Sequence, residues 1–157
     1  IRDTAPDIGF AGACYPEGHP EAESLAADVA NLRHKQQAGA SHLVSQLFFD
    51  NGKDYRFLNM ARKAGVTLPI SAGVMPIVRR SQIERTVALS SASLPSAFTR
   101  MISRWQDNPQ SLYQAGIEYA VEQLRDLIEG GADGVHLYAM NDAGVAAAVY
   151  NGIRDLL

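Results

Sequence analysis

Three stretches of this sequence obey one rule, and the rule restricts the chain to a narrow set of folds. A helical pattern closes on Ala-Gly or Gly-Gly, and a strand-length apolar run follows within a few residues. The stretches read "QQAGASHLVSQLFF", "ARKAGVTLPISAGVMP" and "IEGGADGVHLYAM". Gly39, Gly65 and Gly131 fall where a helix end needs positive φ. The apolar runs carry little polar alternation, as expected of parallel strands covered by helices. "DIGFAGACY" reads as a further strand at the start of the chain.

The spacing predicts strand 8–15, helix 21–38, strand 42–48, helix 54–64 and strand 69–74. Helix 81–90, a helical insertion 95–106, helix 109–129, strand 134–139 and helix 142–156 complete the map. Repeated strand–helix units with short turns mean an α/β fold with a parallel sheet, open or barrel. With 157 residues, 46% of them hydrophobic, the chain suits one globular unit or part of a larger one. The absence of an initiator Met and the early first strand suggest a fragment. Net charge is −3 with acids and bases mixed, which gives no support for nucleic-acid binding. No apolar run approaches the ~18 residues of a membrane span. Cys14 is the only cysteine, so no internal disulfide or cysteine zinc site is expected, and a reducing cytoplasm is the plain expectation.

In βα proteins the chemistry sits at the C-terminal ends of the strands. Those ends here are Tyr15 with "PEGHPEA", Gln46 with "LFFDN", "GVMPIVRRSQ", and Tyr138 with "AMND". Along the first strand Gly9, Ala11, Ala13 and Tyr15 share one side, while Ile8, Phe10 and Cys14 share the other. A nearly bare face that ends in a phenol lets a flat ligand approach; tight barrel packing uses small residues equally well. In the next helix Leu25, Val29 and Leu32 form the apolar stripe, with Asp28, Asn31 and Lys35 beside it. An acid, an amide and a lysine in line suit a nucleotide, but spacing alone favours a solvated helix face. Gln46 donates and accepts at once, which suits a heterocycle; a structural amide fits as well. His136 and Tyr138 share one side of the last strand, with a hydrogen-bonded structural role favoured for His136. No His/Asp/Glu spacing matches a metal frame, and no glycine-rich phosphate loop is present.

"YPEGHPEA", "DVANLRHKQQAGASHLVSQLFFD", "GVMPI" and "GVHLYAMN" together closely resemble the methylenetetrahydrofolate reductase family, in the family's order, from about Asp7 to the end. The resemblance implies a TIM-barrel type fold. Within it, 1–157 would be a single partial domain, the C-terminal half of a (βα)8 barrel. That half holds strands five to eight, with an extra helical segment before the last strand. It also implies a flavin-dependent oxidoreductase that reduces 5,10-methylenetetrahydrofolate to 5-methyltetrahydrofolate with NADH or NADPH. The implied route is ping-pong hydride transfer, from nicotinamide to flavin N5 and then to the folate methylene. On the matching positions, Tyr15, His19 and Ala22 would touch FAD, and Asp28, Asn31 and Lys35 would hold its nucleotide part. Gln46, Gln82 and Tyr138 would contact folate, and Gln46 the nicotinamide as well.

Two departures stand out. Asp142 occupies the place of an arginine that commonly contacts folate, and a carboxylate there repels an anionic tail unless a cation compensates. The family's catalytic glutamate and its arginine-glycine-aspartate flavin loop precede everything matched, so this chain holds no catalytic residue of its own. The piece by itself is expected to be inactive, to lack tight FAD binding, and to form a homo-oligomer or pair with a second half-barrel. A flavin- or folate-binding half-barrel without catalysis is the alternative. An aldolase-type barrel lacks the strand lysine that a Schiff base needs.

Overall fold

The computed structural model describes Thr4, residues 7–90 and residues 92–157, with the side chains of 85 and 87–89 left aside. Its strands are β1 (Ala11–Cys14), β2 (His42–Ser45), β3 (Ile70–Val74) and β4 (Gly134–Leu137). Its helices are α1 (Leu25–Gln37), α2 (Asn51–Lys63), α3 (Arg80–Ser90), α4 (Ser96–Trp105), α5 (Pro109–Glu129) and α6 (Ala143–Ile153), followed by a 3-10 turn at Arg154–Leu156. Every expected element is present. The strands are shorter than the apolar runs because the runs continue past the sheet. Phe48, for example, leaves β2 and packs in the core with Leu124 and Leu127 of α5. Helix α1 begins later than expected because Ser24 caps it, its side chain accepting from the Ala27 N–H at 3.1 Å.

All four strands are parallel and lie in the order β1-β2-β3-β4. Sequential order with right-handed crossovers puts the connecting helices on one face of the sheet, where α1, α2, α5 and α6 pack. The helix-side core follows: Cys14, Leu43, Phe57 and Ile70 pack with α1 and α2, and Ala72, Val74, Leu124 and Val149 with α5 and α6. The opposite face is open, with Ala11, Ala13, His42 and His136 exposed. A singly wound parallel sheet, helices outside and small or polar residues inside, is the TIM-barrel arrangement.

The helix-to-strand turns are built for stability. Gly39, Gly65 and Gly131 have φ of +92°, +84° and +82°, as the repeated motif demands. Asp133 before β4 accepts from Arg62 of α2 and from the Ile70 N–H, tying two strand starts to one helix end. Gln36 of α1 accepts from the Thr67 and Leu68 N–H groups at 2.8 and 3.3 Å.

At the other end, close packing places the loops. A Cβ on Gly116 of α5 would lie 2.0 Å from the Ile77 carbonyl oxygen, so only glycine lets α5 rest on the loop after β3. No helix among the described residues is long and apolar enough to cross a membrane.

Candidate functional site at the strand ends

The β1–α1 loop carries the first group of candidates. Tyr15 and His19 meet edge to face, ring centroids 4.7 Å apart. The His19 N–H donates to Asp28 Oδ2 at 2.9 Å, and His19 Nδ1 accepts from the Glu21 N–H at 3.2 Å. That acceptor role fixes the neutral ring's proton on Nε2, leaving one donor for a ligand. Asp28, 6% exposed, therefore holds the loop rather than facing solvent. Lys35 also differs from a solvated residue: its stem passes over Gly12, and Nζ donates to the Ala13 carbonyl oxygen at 2.6 Å. Ala13 lies on the edge of β1 that no described strand pairs. Asn31 is exposed and Ala22 half-buried.

Glu17 locks this loop to the rest of the rim. One carboxylate oxygen accepts from the Ser93 N–H at 2.9 Å, and the other pairs with Lys53 of α2 at 3.1 Å. Burial pushes its pKa up, but the Ser93 hydrogen bonds and Lys53 outweigh this and hold it below the usual carboxylate value.

The second group converges on a cavity of about 560 Å³ at the ends of β2, β3 and β4, lined by Gln46, Arg79, Gln82, Tyr138 and Met140 among others. The structure thus brings together the three residues expected to contact folate. Gln46 Oε1 accepts from the Leu47 N–H at 2.9 Å. Gln82 Oε1 accepts from the Val78 and Arg79 N–H groups, both at 2.9 Å, capping α3. With both oxygens engaged, each amide offers its NH2 group, so the cavity favours an acceptor-rich ligand. Tyr138 lies across β3, its ring over Gly73, and its hydroxyl donates to the Ser45 carbonyl oxygen at 2.8 Å. Burial, then the nearby Cys14 and Tyr15, raise its pKa and keep the phenol protonated. The His136 ring makes no hydrogen bond among the described residues; exposed, it instead meets Tyr138 edge to face at 4.6 Å.

Three features escaped sequence reasoning. Arg79, which lines the cavity, pairs with Asp142 at 2.5 Å. Met140 and Asn141, just before Asp142, have φ of +50° and +62°, a strained conformation for two non-glycine residues in succession. Asp54 of α2 is fully buried, and neither carboxylate oxygen has a hydrogen-bond partner. Burial pushes its pKa up to about 7. Cys14 is pushed up to about 12, chiefly by burial and then by Asp54, and is an unreactive thiol. A smaller cavity of about 290 Å³ between α2 and α5, lined by Asn51 and Asp126 among others, holds none of the expected residues. Among the described residues no group of three His, Cys, Asp or Glu side chains is placed to hold a metal ion.

The flavin expectation meets a mixed surface. The exposed Ala11–Ala13 face ending at Tyr15 and His19 fits a flat ring system, and Asn31 is open to a ligand. Asp28 and Lys35 are engaged by the chain itself.

Comparison with known proteins bears on the family of the chain. The family model described as "Methylenetetrahydrofolate reductase" matches residues 1–154. "Probable methylenetetrahydrofolate reductase (NADPH)" of Caenorhabditis elegans is 36% identical over 151 residues, 96% of this chain and 21% of that protein. "Methylenetetrahydrofolate reductase (NADH) 1" of Zea mays is 33% identical over 143 residues, 85% of this chain and 24% of that protein. "5,10-methylenetetrahydrofolate reductase" of Pectobacterium carotovorum subsp. carotovorum is 30% identical over 150 residues, 94% of this chain and 50% of that protein. The chain spans half or less of the length of these relatives.

Proposed function

The chain belongs to the methylenetetrahydrofolate reductase family, and on that premise we propose that it is the strand-five-to-eight half of a reductase that converts 5,10-methylenetetrahydrofolate to 5-methyltetrahydrofolate. The convergence of Gln46, Gln82 and Tyr138 on one strand-end cavity carries the proposal. Two amide NH2 groups would orient a pterin by donating to its carbonyl oxygen and N1, and Tyr138 closes the floor of the cavity.

Next to that cavity, Tyr15, His19 and Ala22 would flank FAD, and Asn31 and Lys35 would meet its nucleotide part. Asp28 serves by holding the His19 backbone. When bound, FAD supplies the hydride carrier between NADH or NADPH and folate. The protein's share is to position the two flat ligands and to present the His19 Nε2 proton. Relatives are named for both NADH and NADPH, and no residue described here selects between them.

The test uses the full-length protein that carries this chain. It should purify with bound flavin, bleach with NADH or NADPH without oxygen, and recover its colour on addition of 5,10-methylenetetrahydrofolate. Failure of the folate to restore colour would overturn the reading. It would favour the alternative, a binding module without catalysis.

The same reading makes the chain a half-barrel in need of its complement. The inner face is open, and β1 and β4 are both sheet edges. Open edges and faces drive association. The isolated 157-residue chain should therefore sediment as a dimer or larger at micromolar concentration and carry no stoichiometric flavin. A stable monomer would refute the association.

A further inference from the structure

We infer that Arg79 is the residue that reads the anionic end of the ligand, standing opposite the carboxylate of Asp142. The inference rests on the folate reading above and assigns the tail of that substrate. Among the described residues lining the strand-end cavity, Arg79 alone is charged. Its side chain is 63% exposed at the mouth, while the neutral amides of Gln46 and Gln82 line the wall.

The pair is held from the Asp142 side. Oδ1 of Asp142 accepts from the Val145 N–H at 3.1 Å and caps α6, which fixes the carboxylate. Oδ2 then takes Arg79 Nη2 at 2.5 Å. Arg79 Nη1 and Nε are left unengaged among the described residues, and a guanidinium fork is shaped for a carboxylate. The left-handed pair Met140 and Asn141 delivers Asp142 to this position, and such strain concentrates where a loop serves a ligand.

An exposed ion pair contributes little to stability, so holding up the fold is a weak reason for a strained loop to place one here. The arrangement also answers the problem set by Asp142. Its negative charge would repel an anionic tail at the mouth, and Arg79 is the cation that compensates. The fitting ligand is a ring with acceptors for the two NH2 groups at the cavity wall, joined to a carboxylate that reaches the mouth. Tetrahydrofolate, with its glutamate, has this form.

The experiment compares tetrahydrofolate with the primary amide of tetrahydropteroic acid, which keeps the ring system and carries no carboxylate, by calorimetric titration of the full-length protein. R79A should weaken tetrahydrofolate by about tenfold, the scale of one charge-assisted contact, and leave the uncharged amide within about twofold. R79K, which keeps charge but loses the fork, should fall between. Arg80 pairs with Asp107 and does not line the cavity, so R80A should change neither titration. The inference is overturned if R79A weakens both compounds equally, if it weakens neither, or if R80A matches it. Wild type that binds neither compound overturns the folate reading and this inference together. Wild type that binds both, with R79A unchanged, overturns the inference alone. Matching unfolding midpoints for wild type and variants exclude a folding defect.

Discussion

The Tyr138 hydroxyl donates to the Ser45 carbonyl oxygen from two strands away, and its ring crosses β3 where Gly73 has no side chain. The phenol is thus a brace across β2, β3 and β4. A Cβ at position 73 would lie 2.4 Å from the Ser45 oxygen and 2.7 Å from Tyr138 Cε2. Gly73→Ala should cost roughly 2–4 kcal/mol, because backbone must move. Tyr138→Phe should cost about 1 kcal/mol, the loss of one hydrogen bond. Urea unfolding of both variants checks the order. A Gly73→Ala protein as stable as wild type would refute the brace.

Gln46 is expected to act on folate rather than on flavin. In the full-length protein, Gln46→Ala should impair the folate half-reaction by roughly 1–3 kcal/mol at normal flavin content. Stopped-flow reoxidation of the reduced flavin by 5,10-methylenetetrahydrofolate reads this directly. Unchanged rate and affinity would remove Gln46 from the site.

Lys35 is expected to serve the nucleotide part of FAD. Lys35→Ala should weaken flavin retention through dilution in the full-length protein while the far-ultraviolet circular dichroism stays native. Retention equal to wild type would leave the bond to Ala13 as the residue's whole role.

Asp54 makes stability depend on pH in the direction opposite to a paired carboxylate. Its folded pKa is raised from 3.8 to about 7. Below pH 4 both states hold the proton and the group is neutral in its effect. Between about 4 and 7 only the folded state holds it, so stability falls as pH rises. The full loss is present above 7 and amounts to a few kcal/mol, on the order of 1.4 kcal/mol per pKa unit. Asp54→Asn should therefore stabilise the protein more at pH 8 than at pH 5. Urea titrations at the two pH values test this, and an equal gain at both would contradict it.

The architecture was largely legible because its signals are local. Each of Gly39, Gly65 and Gly131 marks a helix end by itself, and the alternation of Ala11, Ala13 and Tyr15 against Cys14 told inside from outside. The site was legible as four strand ends. What stayed hidden depends on contacts between distant positions. Helical spacing sets Asp28 beside the apolar stripe but cannot see the His19 N–H that draws it into the interior. Asp54 opens the helix expected over 54–64, and only the packing of α2 shows that its carboxylate is buried without a hydrogen-bond partner. Asp142 stands out in sequence at the place of an arginine, but its partner Arg79 looks like a surface charge until the β3 and β4 loops meet.

Gly116 bears on the kinetics of recognition as well as on packing. With α5 seated directly on the Ile77 carbonyl, the backbone is anchored two residues before Arg79. The backbone on this side of the cavity is thereby preorganised, and the entropy lost on binding falls on the Arg79 side chain, the ligand and its tail. Association should be a single concentration-dependent step without a slow closing phase, since the side of the cavity that meets the ligand is already in its final form.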